Sequence, residues 1–161
     1  MKRWTEFLPA SRICGGAGVA LWLCSCSERD PGGELVNASG LTTNEVMAVL
    51  SSGADVNRRS TRFSGYTPLI VAIRNNKMDI IDVLIRAGAD VNLKDSEGRT
   101  PLMHALMDWE PKISLVTILI ANGANPRIPD RDGFDAYAYA NQRTNALQIA
   151  QALNAGSMPR K

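Results

Sequence analysis

The residues of this chain that could do chemistry are one histidine, three cysteines and two short acidic stretches. His104 is the single histidine, and no cysteine or clearly paired carboxylate is placed to act with it. We therefore interpret it as a partly buried structural residue. The stretches Asp95-Ser96-Glu97-Gly98 and Asp130-Arg131-Asp132-Gly133 match calcium-binding loops only in part. Because no phosphate loop or His/Cys cluster with metal-ligand spacing occurs either, we expect no catalytic residue, metal or cofactor.

The cysteines lie in an N-terminal segment with the composition of an export signal. A basic start at Met1-Lys2-Arg3 is followed by a short apolar run over residues 13–23, which Leu23-Cys24-Ser25-Cys26 closes. The run is too short to cross a membrane as a stable helix but suits a secretory signal. The closing residues resemble the processing site of bacterial lipoproteins, in which Cys26 would carry the lipid. That resemblance implies a diacylated Cys26, and two acyl chains are enough for stable anchoring.

Processing before Cys26 would divide the chain into four parts. These are a signal (residues 1–25), a flexible tether (26–33), a folded domain (34–156) and a C-terminal tail (157–161). Ser27 is the residue type that the resemblance associates with transfer to the outer membrane. We therefore expect a domain in the bacterial cell envelope, facing the periplasm and favouring the outer membrane. Simple secretion, and a cytoplasmic protein whose signal is unused, are the alternatives.

The charge balance argues against nucleic acid as the partner. The chain has 18 Lys and Arg against 16 Asp and Glu, and residues 1–25 hold three of these cations and one of the acids. Removal of the signal therefore leaves 15 residues of each sign. Binding to nucleic acid depends on a surplus of cations facing the phosphates. We expect a protein partner instead.

Two phrases repeat along the remaining chain with a period near 35 residues. Gly-Ala-Asp-Val-Asn begins at residues 53 and 88, with a shortened form at 123. Gly-x-Thr-Pro-Leu begins at residues 65 and 98, with a worn form at 133. A fixed period of this size is typical of stacked supersecondary units. With both phrases, the chain resembles the ankyrin-repeat family from about Leu35 to Gly156.

Helix chemistry supports the same unit independently. Thr67 and Thr100 can accept hydrogen bonds from the free N–H groups of a helix start, and the proline after each suits the first helical position. Apolar residues then recur at helical spacing at 80, 81, 84 and 85, and again at 115, 116, 119 and 120. Gly88 and Gly123 supply a left-handed stop. We predict an all-α solenoid of stacked helix–turn–helix units with projecting hairpin fingers.

The units differ in ways that indicate end caps and insertions. Glu45 and Gln148 take the places that Ile80 and Leu115 hold in the inner units, so the outer two of about four repeats are predicted caps. The first finger is two residues longer than the others, and a second insertion falls between the helices near Trp109. Loops accommodate insertions and carry specificity, so both are candidate sites of partner contact.

The resemblance implies that finger tips and first helices hold a partner protein. Arginine and aromatic residues are the types that most often anchor interfaces. The predicted partner-binding residues are Arg58, Arg59, Arg62, Phe63, Tyr66, Arg74, Arg99, Trp109, Arg127 and Phe134. We expect a monomeric, non-catalytic adaptor, inhibitor or accessory factor acting on an exported protein. The alternatives are an envelope enzyme or small-ligand carrier using a pocket near His104, and a soluble cytoplasmic ankyrin regulator.

Overall fold

The computed structural model describes residues 42–61, 64–108, 110–143 and 145–155. Within these ranges the chain forms seven α-helices and no strands. The helices are α1 (Thr43–Ser51), α2 (Pro68–Arg74), α3 (Met78–Arg86), α4 (Pro101–Met107), α5 (Ile113–Ala121), α6 (Ala136–Asn141) and α7 (Ala146–Ala155). None of the described helices is long and apolar enough to span a membrane. The predicted signal, Cys26, the tether and the tail lie outside the described residues, so the domain boundaries stay predictions.

The first helix of each complete unit begins where the sequence predicts. The Oγ1 atom of Thr67 accepts a hydrogen bond from the N–H of Ile70 (3.3 Å), and Thr100 does the same for Met103 (3.4 Å). A proline follows each threonine as the first residue of α2 or α4. In the last unit Asp135 replaces the threonine and caps α6 through the N–H of Ala138 (3.0 Å). Capping therefore survives where the Thr-Pro pair is lost.

Seven helices arranged in two rows confirm the all-α stack. Helices α2, α4 and α6 form an inner row, in which each packs against the next, and each also packs against its own outer helix, α3, α5 or α7. Helix α1 packs on α3, and α5 packs on α7. The predicted stripes face this interior, since Ile81 and Leu84 of α3 and Leu119 of α5 are almost fully buried. Removing such side chains from water stabilises the stack by about 1.5–3 kcal/mol each.

Asparagine side chains join consecutive units on the outer edge. The Oδ1 atom of Asn57 accepts the N–H of Asp90 (2.7 Å), and its Nδ2–H donates to the carbonyl of Gly88 (3.4 Å). One unit later Asn92 makes the same pair of bonds with Asn125 (2.7 Å) and Gly123 (3.0 Å). Each asparagine thus satisfies polar backbone groups of the following unit, in addition to the apolar contacts between helices.

Three loops project as fingers, and each is closed by its own backbone. In the first finger (residues 58–66) the N–H of Ser60 donates to the carbonyl of Tyr66 (2.8 Å). The second finger (93–99) closes between Asp95 and Arg99, and the third (128–134) between Asp130 and Phe134, both at 2.9 Å. These closures confirm the predicted hairpin fingers.

Neighbouring fingers also touch one another. The N–H of Ser96 donates to the carbonyl of Ser64 (2.8 Å), and the N–H of Arg131 donates to the carbonyl of Glu97 (3.1 Å). Gly98 has a left-handed φ of +78°, and a Cβ atom there would lie 2.9 Å from the backbone nitrogen of Arg131. Only glycine fits at that position, because the next finger lies against it.

The positions that distinguish the predicted caps carry polar residues with different degrees of burial, and the second insertion lies in a loop. Ile80 and Leu115 are buried, whereas Glu45 is half-buried and bonds back to the N–H of Thr42 (2.7 Å), and Gln148 is exposed. The connection between α4 and α5 runs over residues 108–112, compared with residues 75–77 between α2 and α3. The extra residues therefore lie in a loop and leave both helices intact.

Candidate partner-binding surface

A carboxylate at the base of the second finger organises that finger and ties it to its own inner helix. One oxygen of Asp95, Oδ1, accepts the N–H groups of Glu97 (2.8 Å) and Arg99 (2.9 Å). The other oxygen, Oδ2, lies 2.8 Å from Nε2 of His104 on α4. Both side chains of this pair are completely buried. The contact fixes the finger against the helix because a buried polar group without a partner is unfavourable.

The structure corrects one statement of the sequence analysis and confirms another. The expectation that no carboxylate is paired with His104 was wrong, because Asp95 is paired with it. The structural interpretation of His104 is supported, and the residue is buried rather than partly buried. Nδ1 of the ring has no hydrogen-bond partner among the described residues. Its side chain is fully shielded, although the residue also lines the recess between α2 and α4.

Burial and charge set the protonation state of His104. Burial lowers the pKa of His104 below its ordinary value of 6.5, the hydrogen bond that the ring donates to Asp95 raises it, and Arg74 and Arg99 lower it further, with a net decrease. The imidazole is therefore neutral near pH 7. In that state the proton lies on Nε2, where it bonds to Asp95, and Nδ1 carries a lone pair. A second proton on Nδ1 would be buried without an acceptor.

We expect the free energy of unfolding to decrease as the pH falls below about 6.5, because of His104. The unfolded chain then takes up a proton at an ordinary pKa, whereas the folded chain binds it only at lower pH. Each unit by which the pKa is lowered corresponds to about 1.4 kcal/mol. Urea unfolding of the full chain between about pH 7.5 and pH 5 measures the slope.

His104→Gln is the matched control for this pH dependence. Its amide can still donate to Asp95 but does not titrate, so the slope above about pH 5 should disappear. Because the sequence has no other histidine, a slope that persists in the variant would contradict the assignment.

The third finger repeats the arrangement with a different helix residue. Oδ1 of Asp130 accepts the N–H groups of Asp132 and Phe134, both at 2.9 Å. The hydroxyl of Tyr139 on α6 donates to Oδ2 (2.7 Å). Burial acts to raise the pKa of Asp130, but these hydrogen bonds outweigh it and lower the pKa. Asp130 and Tyr139 follow Asp95 and His104 by 35 residues each, so the same contact recurs in the next unit. The acidic stretches that partly match calcium loops therefore bind their own backbone.

The first finger lacks a carboxylate at the equivalent position. Ser60 stands 35 residues before Asp95, and Val71 on α2 stands 33 residues before His104, at the same place in the helix. The finger retains its backbone closure, but no acidic side chain joins it to α2 through Val71. This finger is joined to the next unit instead, through the carbonyl of Ser64 and the ring of Tyr66.

Rings and guanidinium groups line the base of the fingers. The ring of Tyr66 meets that of His104 edge to face, with centroids 5.2 Å apart, and the guanidinium of Arg74 lies 5.2 Å from the centre of the Tyr66 ring. Arg127 lies in the same way over Tyr137 at 5.3 Å. Such cation–π contacts hold an exposed cation in one orientation.

The predicted partner-binding residues fall into three groups. Arg58, Arg59, Arg74, Arg127 and Phe134 are exposed, Tyr66 and Arg99 are half-buried, and Arg62, Phe63 and Trp109 lie outside the described residues.

Arg99 is used inside the molecule more than the sequence indicates. Its guanidinium interacts with Tyr139 of the next unit, and that interaction contributes to raising the pKa of Arg99 while burial opposes it. Arg99 therefore links the second finger to α6, and its partner-binding role stays a prediction.

A pocket of about 350 Å³ lies beside Arg74, between the C-terminal ends of the inner helices α2 and α4. The extended α4–α5 loop contributes Asp108 and Lys112 to its wall, and Met107 of α4 also lines it. Arg143 of the following unit reaches the last carbonyls of α4, those of Leu106 (2.8 Å) and Met107 (3.1 Å). The second insertion thus forms part of the wall of this recess, whereas the sequence predicted only a loop there. Among the described residues, no cluster of three or more His, Cys, Asp or Glu could hold a metal ion.

Comparisons with known proteins agree with this architecture. A family model for ankyrin repeats, in three copies, matches residues 35–130. Ankyrin repeat and SOCS box protein 6 of Mus musculus is 26% identical over 112 residues, which is 70% of this chain and 27% of that protein. Arf-GAP with coiled-coil, ANK repeat and PH domain-containing protein 2 of Homo sapiens is 39% identical over 77 residues, 47% of this chain and 10% of that protein. The chain spans less than a third of the length of either relative. With its helix pairs, fingers and repeated phrases, it belongs to the ankyrin-repeat family.

Proposed function

We propose that this protein is a lipid-anchored adaptor of the bacterial cell envelope that docks an exported protein through its fingers and inner helices. Ankyrin repeats bind other proteins, and proteins built from them are generally non-catalytic interaction modules. The observation that carries the docking surface is the position of Arg74. It stacks on Tyr66 at the base of the first finger and also lines the recess between the inner helices. Finger and recess therefore meet at one residue.

The surface favours a partner with an acidic region. Arg58, Arg59 and Arg74 are exposed on the first finger and on α2. Lys112 and Asp108 contribute opposite charges at the recess, so the excess positive charge comes from the three arginines. Arginine binds carboxylates in a bidentate manner and packs against apolar groups. The neighbouring half-buried side chains of Tyr66 and Met107 supply apolar contact. An acidic side chain on an apolar stem has the chemistry to enter this recess.

Charge reversal at Arg58 and Arg59 tests this docking surface. We expect the double change to Glu to reduce capture of the partner from an envelope fraction at least about a hundredfold, because the attraction becomes repulsion. Thermal unfolding should change far less than capture does, since both side chains are exposed. Arg86→Glu is the matched control, as Arg86 is exposed on the outer helix α3, where it pairs with Asp82 (2.9 Å). Capture that survives in the double variant, or is equally lost in the control, would contradict the assignment.

The anchor rests on the N-terminal sequence. Cys26 follows a basic start, an apolar run and the phrase Leu23-Cys24-Ser25. Each buried methylene of an acyl chain contributes about 0.8 kcal/mol, so a diacylated cysteine holds a domain at the membrane without a spanning helix.

Palmitate labelling tests the anchor. We expect the full chain to take up label, Cys26→Ala to take up none, and Cys14→Ala to label as the unchanged chain does. Label that persists in Cys26→Ala would refute the assignment of the site. No label in any form would favour the secreted or cytoplasmic alternatives.

A further inference from the structure

The first finger presents three features that the next unit covers. In the first finger the carbonyl of Ser64 accepts the N–H of Ser96, and a Cβ atom on Gly65 would lie 2.6 Å from the Ser96 hydroxyl. The side chain that follows this glycine, Tyr66, packs on the ring of His104. A carbonyl, a glycine and a side chain are therefore covered together by the unit that follows.

The second finger presents the same three features. The carbonyl of Glu97 accepts the N–H of Arg131, and Gly98 lies against that same residue. The side chain after the glycine, Arg99, interacts with Tyr139 on α6. A planar group of the next inner helix covers the finger residue in both cases.

In the third finger the corresponding features are open. The carbonyl of Asp132 receives no N–H from any residue in the described part of the chain. No described residue lies within 4 Å of the position of a Cβ atom on Gly133, and the side chain of Phe134 is 52% exposed. We call these three residues the open finger edge. In the two preceding fingers the following unit covers the equivalent carbonyl and side chain, whereas here both are exposed among the described residues.

We propose that the open finger edge binds an extended segment of another protein. A backbone N–H of that segment pairs with the carbonyl of Asp132, and a planar or apolar side chain lies on Phe134. The contact continues the finger-to-finger interface of the stack, and it follows the mode in which an extended peptide adds to an exposed backbone edge. The inference deepens the proposed docking function but does not depend on the lipid anchor or on the first finger.

Arg127, at the outer edge of the stack, favours an extended segment over a further repeat as the occupant of the open finger edge. Asn57 and Asn92 each accept an N–H of the following unit, but the position one repeat later is Arg127. A guanidinium has no acceptor atom, and that of Arg127 lies over Tyr137 instead. The backbone edge of the finger therefore continues, while the asparagine link between units ends. A short extended segment needs only the backbone edge, whereas a further repeat would also need the asparagine link.

Peptide selection on the full chain tests the proposal. A displayed library of random linear peptides is selected on the unchanged chain, and the affinity of each selected peptide is then measured against Phe134→Ser and Leu147→Ser. Both side chains are exposed, Leu147 by 74% on α7, so neither change should affect folding. We expect Phe134→Ser to weaken binding at least about tenfold and Leu147→Ser to leave it unchanged.

N-methylation along a selected peptide tests the backbone bond. A methyl group removes one N–H at a time, so binding should be lost at a single position that pairs with Asp132 and kept at its neighbours. Peptides that bind Phe134→Ser as well as the unchanged chain, or that tolerate methylation at every position, would overturn the proposal. Self-association that Phe134→Ser abolishes in sedimentation would instead identify a second copy as the occupant. If Arg58 and Arg59 reversal abolishes partner capture while the peptides still bind, the two surfaces are separate.

Discussion

Asp95→Ala should lower the free energy of unfolding by about 3 kcal/mol, measured by urea denaturation of the full chain. The change removes the acceptor of three hydrogen bonds at once. It leaves Nε2–H of His104 in a fully buried position without its carboxylate, together with the N–H groups of Glu97 and Arg99. A buried donor without a partner costs about 1–3 kcal/mol, and the alanine adds a small cavity.

Asp130→Ala is the comparison for this prediction. It also removes three hydrogen bonds, but its helix partner Tyr139 is only half-buried. Water can replace the carboxylate there, so we expect about half the loss. Equal losses in the two variants would show that backbone closure of the finger, and not the buried contact with His104, sets the stability.

Asn92→Ala should weaken the coupling between the second and third units by about 2 kcal/mol. The side chain joins the backbone of Gly123 and Asn125 to its own unit through bonds of 3.0 and 2.7 Å. In a stack, stability is close to a sum of unit and interface terms, so a weaker interface allows the units on its two sides to unfold separately. Denaturation followed by circular dichroism should change from one transition to two.

The neighbouring asparagine provides the control for this second prediction. Asn125 is exposed, and within the described part of the chain its side chain accepts only the N–H of Arg127, in the same loop (3.0 Å). Asn125→Ala should therefore keep a single transition with a small loss of stability. A split transition in that variant would contradict a role for the bonds between units.

Much of the fold follows from local signals that lie within a few residues of one another. Thr67 with Pro68, and Thr100 with Pro101, determine helix starts through groups at adjacent positions. The left-handed glycines at 88 and 123 end the outer helices with φ of +89° and +91°. Because each signal acts within one turn of chain, the order and approximate bounds of the helices are predictable from sequence.

The polar contacts of the surface were less predictable because they depend on how a finger folds back on its helix. Sequence reasoning treated His104 as structural but did not find Asp95, although the two are only nine residues apart. A signal was present in the 35-residue period, which places Asp130 and Tyr139 in the same relation. Arg99 was predicted at the docking surface, yet its guanidinium interacts with Tyr139 of the next unit. The position of a side chain within a repeat does not determine whether it faces a partner protein or a neighbouring unit of its own chain.

The presence of Ser60 and Val71 at the base of the first finger affects how readily the sequence of that finger can change during evolution. A finger without an acidic side chain at its base can exchange residues with little loss to the helices beneath it, so substitutions there escape the selection that preserves the core. New target preferences can arise in this loop while the rest of the scaffold stays the same.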